Sequence, residues 1–122
     1  MPISAPIDSQ HKAHLVSIAN EEENDFVLRL VHRKIAWLGG TKLRDGTWLW
    51  IDGSVWSYEN WRLGEPNDHY SNEDSLIMNC AGNKSGNWCD FNGNTRKPSG
   101  YVCQYTYGIL ILAFAIELNC TK

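Results

Sequence analysis

The segment over residues 65–74 constrains the fold and the chemistry of this chain more than any other. It runs Glu-Pro-Asn-Asp-His-Tyr-Ser-Asn-Glu-Asp and contains no lysine or arginine. Carboxylate and amide oxygens at this density suit Ca²⁺, which takes about 6–8 oxygen ligands at about 2.3–2.6 Å. The spacing differs from the contiguous loop of an EF-hand, so a calcium site here requires further ligands from a distant segment. A solvated acidic loop is the alternative that composition alone leaves open.

Residues 52–72 are predicted to form one long loop, because they hold few aliphatic side chains and many turn-forming residues. Loops longer than about 12–15 residues without regular structure are usually either functional or disordered. Six aromatic residues lie between Trp48 and Tyr70, and aromatic side chains of this number argue against disorder. We therefore expect an ordered loop with a function.

Hydrophobic periodicity on either side of this loop predicts a domain with both helix and strands. Apolar residues at helical spacing predict a helix over residues 20–33, and Asn20 followed by Glu23 resembles a capping box at its start. The Gly- and Asn-rich stretch over 83–93 predicts a turn around Trp88. Short apolar runs predict strands over 35–39, 48–51, 75–78 and 101–105.

The two ends of the chain differ in character from the rest. Residues 1–10 contain Pro2 and Pro6 among small polar residues and are predicted to be an irregular arm without the pattern of a signal peptide. The stretch over 107–116 is almost wholly apolar, but a bilayer span takes about 20 residues. We therefore expect no membrane helix there; a buried strand or helix, or an exposed aggregation-prone tail, are the alternatives.

Length and charge limit the classes of function. A chain of 122 residues is large enough for one domain with its own core. The net charge is −3 with both signs mixed and no basic stripe, which argues against nucleic acid or an anionic membrane surface as partner. Four cysteines are typical of a secreted disulfide framework and allow three connectivities.

A series of short motifs, in a specific order and spacing, resembles the C-type lectin domain family. The motifs are His-Leu-Val-Ser-Ile (14–18), Glu-Glu-Glu-Asn-Asp-Phe-Val (21–27), Trp-Leu-Gly-Gly (37–40), Gly-Thr-Trp-Leu-Trp (46–50), Trp-Ser-Tyr-Glu-Asn-Trp (56–61), Glu-Pro-Asn (65–67) and Trp-Cys-Asp (88–90). The resemblance implies an α+β C-type lectin-like fold, with small antiparallel sheets, a flanking helix and a long calcium-binding loop. It implies a domain over residues 11–105 that lacks the family's N-terminal strand, followed by an atypical apolar tail over 106–122.

The resemblance also implies a site. Glu65, Asn67 and Glu73 from the loop and Asp90 from a strand would hold Ca²⁺ and contact the sugar, and Pro66 would follow a cis peptide bond. Each sugar hydroxyl both donates and accepts a hydrogen bond, so a carboxylate and an amide together satisfy it. The order Glu-Pro-Asn resembles mannose-type members, which prefer equatorial vicinal hydroxyls, whereas galactose-type members carry Gln-Pro-Asp.

A second metal site is implied more weakly. Asp45, Asp68, Glu73 and Asp74 fall where many family members bind an auxiliary ion. Thr41 stands where a further acid is expected, so this second site is incomplete.

The cysteines depart from the family pattern. Cys89 occupies the position of an asparagine that supplies a calcium ligand, and sulfur is too soft a donor for Ca²⁺. The usual partners of the remaining cysteines are missing. Disulfides between Cys80 and Cys89 and between Cys103 and Cys120 are the pairs we expect, with free buried cysteines as the alternative.

These observations favour a calcium-dependent module that binds glycans or glycoproteins in the extracellular space, although the chain shows no signal peptide. The alternative is a C-type-lectin-like domain that has lost calcium and sugar binding and recognises a protein or another ligand. A hydrolase with Glu65 and Glu73 as paired carboxylates is a third class. We reject it, since nothing in the sequence indicates an environment that would raise the pKa of either group. We therefore expect a protein that is not an enzyme.

Overall fold

The computed structural model describes residues 13–68, 73–80, 84–92, 100–105 and 112–115. They form one helix and seven strands: β1 (Ala13–Leu15), α1 (Glu21–Leu30), β2 (Ala36–Lys42), β3 (Trp48–Trp50), β4 (Ser75–Met78), β5 (Trp88–Phe91), β6 (Gly100–Tyr105) and β7 (Leu112–Ala115). The predicted arm over 1–10 lies outside the described residues, as does most of the predicted tail over 106–122.

Helix α1 begins where the sequence predicted and ends earlier. Asn20 caps it by accepting a hydrogen bond from the backbone N–H of Glu23 at 2.8 Å. The Glu23 carboxylate in turn accepts from the N–H of Ala19 at 2.8 Å, one residue before the cap itself. The helix ends at Leu30, because the chain then takes two successive positive φ angles of 54° and 58° at His32 and Arg33, which no helix can continue through.

All seven strands belong to a single sheet, in the order β1-β6-β2-β4-β5, with β3 paired to β2 and β7 paired to β6. Every pair is antiparallel except β2 with β6, which run parallel with Ala36 opposite Gly100. The mixed helix and sheet confirm the predicted α+β class. The sheets differ from the separate small antiparallel ones we expected, because the parallel pair joins the two halves.

The two glycines of Trp-Leu-Gly-Gly are needed where other chain segments cross β2. A Cβ on Gly39 would lie 2.6 Å from the carbonyl oxygen of Leu15, and a Cβ on Gly40 would lie 2.7 Å from the side chain of Leu76. The N–H of Gly39 donates to the carbonyl of Val16 at 2.8 Å. The segment that follows β1 is thus packed directly on the backbone of β2.

Strand β5 corrects the predicted turn over 83–93. Residues Trp88–Phe91 pair with β4, and Cys89 lies opposite Ile77. Trp88, Cys89 and Asp90 are all buried, so the hydrophobic alternation that identifies a half-exposed strand is missing, and the flanking glycines and asparagines dominate the local pattern. Strand β1 was also not predicted, since it is only three residues long.

Aromatic side chains hold the long loop against the sheet. The indole of Trp88 is fully buried, and its ring centroid lies 5.9 Å from Trp56, 5.8 Å from Tyr58 and 6.0 Å from Trp61. Trp50 completes this cluster at 5.6 Å. Such ring pairs contribute about 0.5–1.5 kcal/mol each beyond the area they bury. Residues 52–68 of the loop are therefore anchored by packing, as the aromatic content predicted.

The second face of the sheet carries its own smaller core. Leu15, Trp37 and Ile77 pack there with a disulfide between Cys80 and Cys89. These two cysteines are nine residues apart, and closing a loop of that size stabilises the fold by roughly 2–3 kcal/mol in the chain-entropy picture.

The described part of the C-terminal segment is a strand. Cys103 in β6 is also disulfide-bonded, while its predicted partner Cys120 lies outside the described residues. The four residues of β7 extend the sheet antiparallel to β6, which favours the strand among the alternatives for the apolar stretch over 107–116. Among the residues that the structure describes, no helix has the length and apolar character to cross a membrane.

Candidate functional site

The four side chains predicted to bind a metal and a sugar line one cavity of about 270 Å³: Glu65, Asn67, Glu73 and Asp90. The first two lie near the end of the long loop, where the bond between Glu65 and Pro66 is cis, as predicted. Glu73 comes just before β4, and Asp90 lies in β5. Since β4 and β5 are antiparallel neighbours, the start of one lies beside the end of the other, which brings three distant segments together.

Asp90 connects the loop to the sheet. Its side chain is buried, with 3% of the residue exposed. One carboxylate oxygen accepts from the backbone N–H of Asn67 at 3.1 Å, and the other accepts from the N–H of Asp68 at 2.7 Å. Hydrogen bonds to an ionised acceptor are the stronger kind, so a single buried carboxylate holds the loop backbone at the cavity.

Asp68 connects the end of the loop with the residues just before β4. Its carboxylate accepts from the backbone N–H of Glu73 at 3.1 Å and forms an ion pair with the ammonium of Lys42 at 3.2 Å. The hydrogen bond from Glu73, followed by the interaction with Lys42, lowers the pKa of Asp68 below its usual value. Asp68 carries a positive φ of 47°, a backbone conformation that Asp tolerates better than most residues.

Glu65 has an unusual titration. Its pKa is raised to about 7, first by burial, then by the adjacent Asp90 carboxyl group and by the negative charge of Glu73. One of its oxygens accepts from the Asn67 amide at 3.0 Å. The other oxygen is buried and has no hydrogen-bond partner among the described residues. The expectation that no carboxyl here has a raised pKa was therefore wrong, because it ignored how closely the three acids are packed.

The donor set fits a hard divalent cation in its chemistry. Three carboxylates and one amide surround the cavity, and their oxygen atoms are the kind of ligand that Ca²⁺ takes. One buried oxygen of Glu65 lacks a hydrogen-bond partner within the described residues. In the part of the chain that the structure describes, no three Asp, Glu, His or Cys side chains lie close enough together to hold a metal ion as they stand.

Cys89 contributes no ligand. Its sulfur is bonded to Cys80 and lines the same cavity. The position where the resemblance implies an amide oxygen is thus occupied by a disulfide, and the candidate site has one oxygen ligand fewer than the family pattern.

The structure gives the predicted second metal site little support. Asp45 accepts from the backbone N–H of Thr47 at 2.9 Å within a turn. Asp74 is exposed, and its carboxylate accepts a 3.3 Å hydrogen bond from the Ser75 hydroxyl. Asp68 already forms an ion pair with the ammonium group of Lys42.

One part of the cavity was not expected from the sequence. Beside the acidic cluster, the wall is formed by Ile35, Ile77, Phe91 and the disulfide. Cys89 and Phe91 are two residues apart in β5, which is the spacing of side chains on one face of a strand. Because the sequence predicted a turn over 83–93 and no strand, this spacing was not used.

Comparisons with known proteins agree with the motifs. The Lectin C-type domain family matches residues 8–105. A protein named Lectin from Pleurodeles waltl is 33% identical over 100 residues, covering 77% of this chain and 56% of that protein. The chain spans about half or less of the length of the curated relatives it matches.

Solved structures share the fold. The carbohydrate-recognition domain of cow CD23, solved in the presence of a GlcNAc2Man3 oligosaccharide, is similar with a TM-score of 0.66 and 30% identity, covering 86% of this chain and 76% of that one. A calcium-independent type II antifreeze protein is similar with a TM-score of 0.65 and 25% identity, covering 87% of this chain and 75% of that one.

Proposed function

The chain belongs to the C-type lectin domain family, and on this premise we propose that it binds carbohydrate in a calcium-dependent manner. Members of this family bind carbohydrate and are not enzymes, which excludes the hydrolase despite the raised pKa of Glu65. One observation carries the proposal: the four side chains that the motifs single out, from three separate segments, line a single cavity.

The residues of the site have complementary roles toward a sugar. Ca²⁺ held by Glu65, Asn67, Glu73 and Asp90 would supply coordination for two adjacent sugar hydroxyls. The carboxylates of Glu65 and Glu73 would accept hydrogen bonds from the hydroxyls, and the amide of Asn67 would donate to a hydroxyl oxygen. Equatorial vicinal hydroxyls of the mannose type are the proposed target, because Glu-Pro-Asn supplies its acid and its amide in that order.

Affinity for a single sugar is expected to be weak. Extracellular calcium modules bind the ion with Kd values of about 10⁻⁴–10⁻³ M, and the Cys89 disulfide removes one oxygen ligand here. The disulfide also supports an extracellular location, where such bonds persist. Clustering of several sites on one surface would supply useful avidity toward glycoproteins.

The test is retention of the chain on a mannose resin in millimolar Ca²⁺, followed by elution with EDTA. The double variant Glu65→Gln with Asn67→Asp changes the motif to Gln-Pro-Asp, and we expect retention to move to a galactose resin. If the unchanged chain is retained on neither resin, and circular dichroism shows that it is folded, a calcium-dependent sugar site is excluded.

Binding of the ion is measurable without any sugar. At about 10 mM Ca²⁺ and a Kd of about 1 mM, ligand linkage stabilises the folded state by about 1.4 kcal/mol. We expect the melting temperature to rise in Ca²⁺ and to fall back in EDTA. The Glu73→Gln variant should lose most of this rise, and an equal rise in that variant would remove Glu73 from the ligand set.

A calcium-independent binding role is the second candidate. The disulfide at Cys89 favours it, together with the lack of a convergent acidic group in the described part of the chain. Similarity to a calcium-independent antifreeze protein shows that the fold occurs without calcium dependence. Ligand binding that survives EDTA would favour this candidate over the first.

A further inference from the structure

We propose that the cavity contains a second subsite, beside the acidic cluster, for an apolar group attached to the sugar. The ligand class is a glycoside whose aglycone is an aromatic ring or a short alkyl chain. This inference rests on the proposed function, because the sugar is what positions the aglycone. It adds a determinant of specificity that the motif Glu-Pro-Asn does not contain.

The cavity has two chemically different halves. One half holds the acids and the amide of the proposed sugar site. The other half is formed by the side chains of Ile35, Ile77 and Phe91 and by the Cys80–Cys89 disulfide, and Arg62 is the remaining described residue of the lining. An apolar wall directly beside a polar cluster matches a ligand that is polar at one end and apolar at the other.

The apolar wall is held rigidly. Ile77 is 2% exposed and lies opposite Cys89 in the β4–β5 pair. The half-buried ring of Phe91 packs edge-to-face on Trp37, with centroids 5.9 Å apart. A wall that is already ordered by the sheet, the disulfide and an aromatic pair loses little entropy when a ligand packs against it, so it favours binding.

The volume is sufficient for such a group. The cavity of about 270 Å³ corresponds to roughly nine water molecules at about 30 Å³ each. An apolar cavity of about 150 Å³ is known to accept a benzene ring in another protein. A ring on this wall therefore leaves room for the polar end of the ligand at Glu65 and Asn67.

A charged aglycone is disfavoured by the composition of this wall. The remaining lining residue is Arg62, the one basic side chain among the described residues that line the cavity, and a cationic substituent would meet its positive charge. A carboxylate or phosphate substituent would meet the three acids on the other side. An uncharged apolar substituent avoids both that repulsion and the cost of removing a charge from water.

The test compares two glycosides that differ only in the aglycone. Methyl α-mannoside and phenyl α-mannoside each compete with a mannose resin for binding to the full chain in Ca²⁺. We expect phenyl α-mannoside to compete about tenfold better, which is the effect of removing roughly 60 Å² of apolar surface from water. In the Phe91→Ala variant this advantage should fall to about twofold, while competition by methyl α-mannoside stays the same.

Two further variants keep the test decisive. Val55→Ala changes an exposed apolar residue outside the cavity and should keep the tenfold ratio. If Phe91→Ala does not fold, Ile35→Ala alters the half-buried edge of the same wall and should reduce the ratio as well. Equal competition by the two glycosides in the unchanged chain overturns the apolar subsite and leaves the proposed sugar site intact. Failure of both glycosides to compete overturns both proposals.

Discussion

Replacing Asp90 by asparagine tests whether one buried carboxylate holds the long loop on the sheet. The carboxylate accepts from two backbone N–H groups, those of Asn67 at 3.1 Å and of Asp68 at 2.7 Å. Asparagine keeps one acceptor oxygen, so one of these bonds is lost and an NH₂ group faces an N–H. A hydrogen bond to a charged group contributes about 1.5–3 kcal/mol. The freed N–H can partly reach water, which reduces the expected loss to about 1–2 kcal/mol.

Urea unfolding in EDTA measures this loss without any contribution from bound calcium. Thermal unfolding is a second measurement of the same loss, since a change of about 1 kcal/mol lowers the melting temperature of a domain by roughly 2–8 °C. The matched control is Asp74→Asn, which removes an exposed carboxylate that accepts a hydrogen bond from the adjacent Ser75 hydroxyl, and should leave stability unchanged. If Asp90→Asn unfolds within about 0.3 kcal/mol of the unchanged chain, the carboxylate does not hold the loop and our account of the site's geometry is wrong.

Further predictions concern the surroundings of the site. Lys42→Met removes the ion pair with Asp68 and should lower the melting temperature slightly at low ionic strength, with no difference in about 1 M salt. Lys42→Arg should have the same melting temperature as the unchanged chain. A decrease that does not depend on salt would contradict the electrostatic explanation. Asn24→Ala leaves the buried indole N–H of Trp88 without its acceptor, while the Gly86 carbonyl keeps its hydrogen bond from Asn60. The cost in urea unfolding should be about 1–3 kcal/mol, whereas Asp25→Ala, at an exposed position, should cost almost nothing. Burial raises the pKa of Asp52, but hydrogen bonds from two serine hydroxyls and a backbone N–H outweigh it and lower the pKa overall. The ionised Asp52 therefore stabilises the folded state above the unfolded pKa of about 4, and this stabilisation is lost as pH falls through the folded pKa. The stability difference between the unchanged chain and Asp52→Asn should therefore be largest at neutral pH and disappear in acid, and a difference that grows in acid would contradict this sign.

The residues of the site could be predicted because their chemistry is local in sequence. A loop that combines Glu65, Asn67 and Glu73 within nine positions has the oxygen donors of a cation site, and its composition alone leaves a solvated acidic loop as the alternative. The family resemblance then added Asp90 from a distant strand. The positions of all four around one cavity agree with that prediction, while their role as ligands stays a prediction until calcium binding is measured.

Properties that depend on tertiary packing could not be predicted from the sequence. The pKa of Glu65 rises because burial and two acids from other segments act on it together, and no local pattern records that proximity. Strand β5 was hidden for a related reason. Its residues Trp88, Cys89 and Asp90 are buried on both faces of the sheet, so their environment is set by β4 and the loop and leaves no alternation to detect.

The cysteine at position 89 connects the two proposals about this cavity. An amide at that position would add an oxygen ligand to the acids, whereas the Cys80–Cys89 disulfide adds apolar surface to the opposite wall. If both proposals hold, a cysteine at position 89 weakens the cation site and also supplies part of the apolar wall beside it. Calcium affinity and aglycone preference should consequently change in opposite directions: replacing Cys89 by asparagine and Cys80 by alanine should strengthen the response of the melting temperature to Ca²⁺ and reduce the preference for phenyl α-mannoside. A variant in which both properties change in the same direction would show that the two halves of the cavity do not share this residue as their determinant.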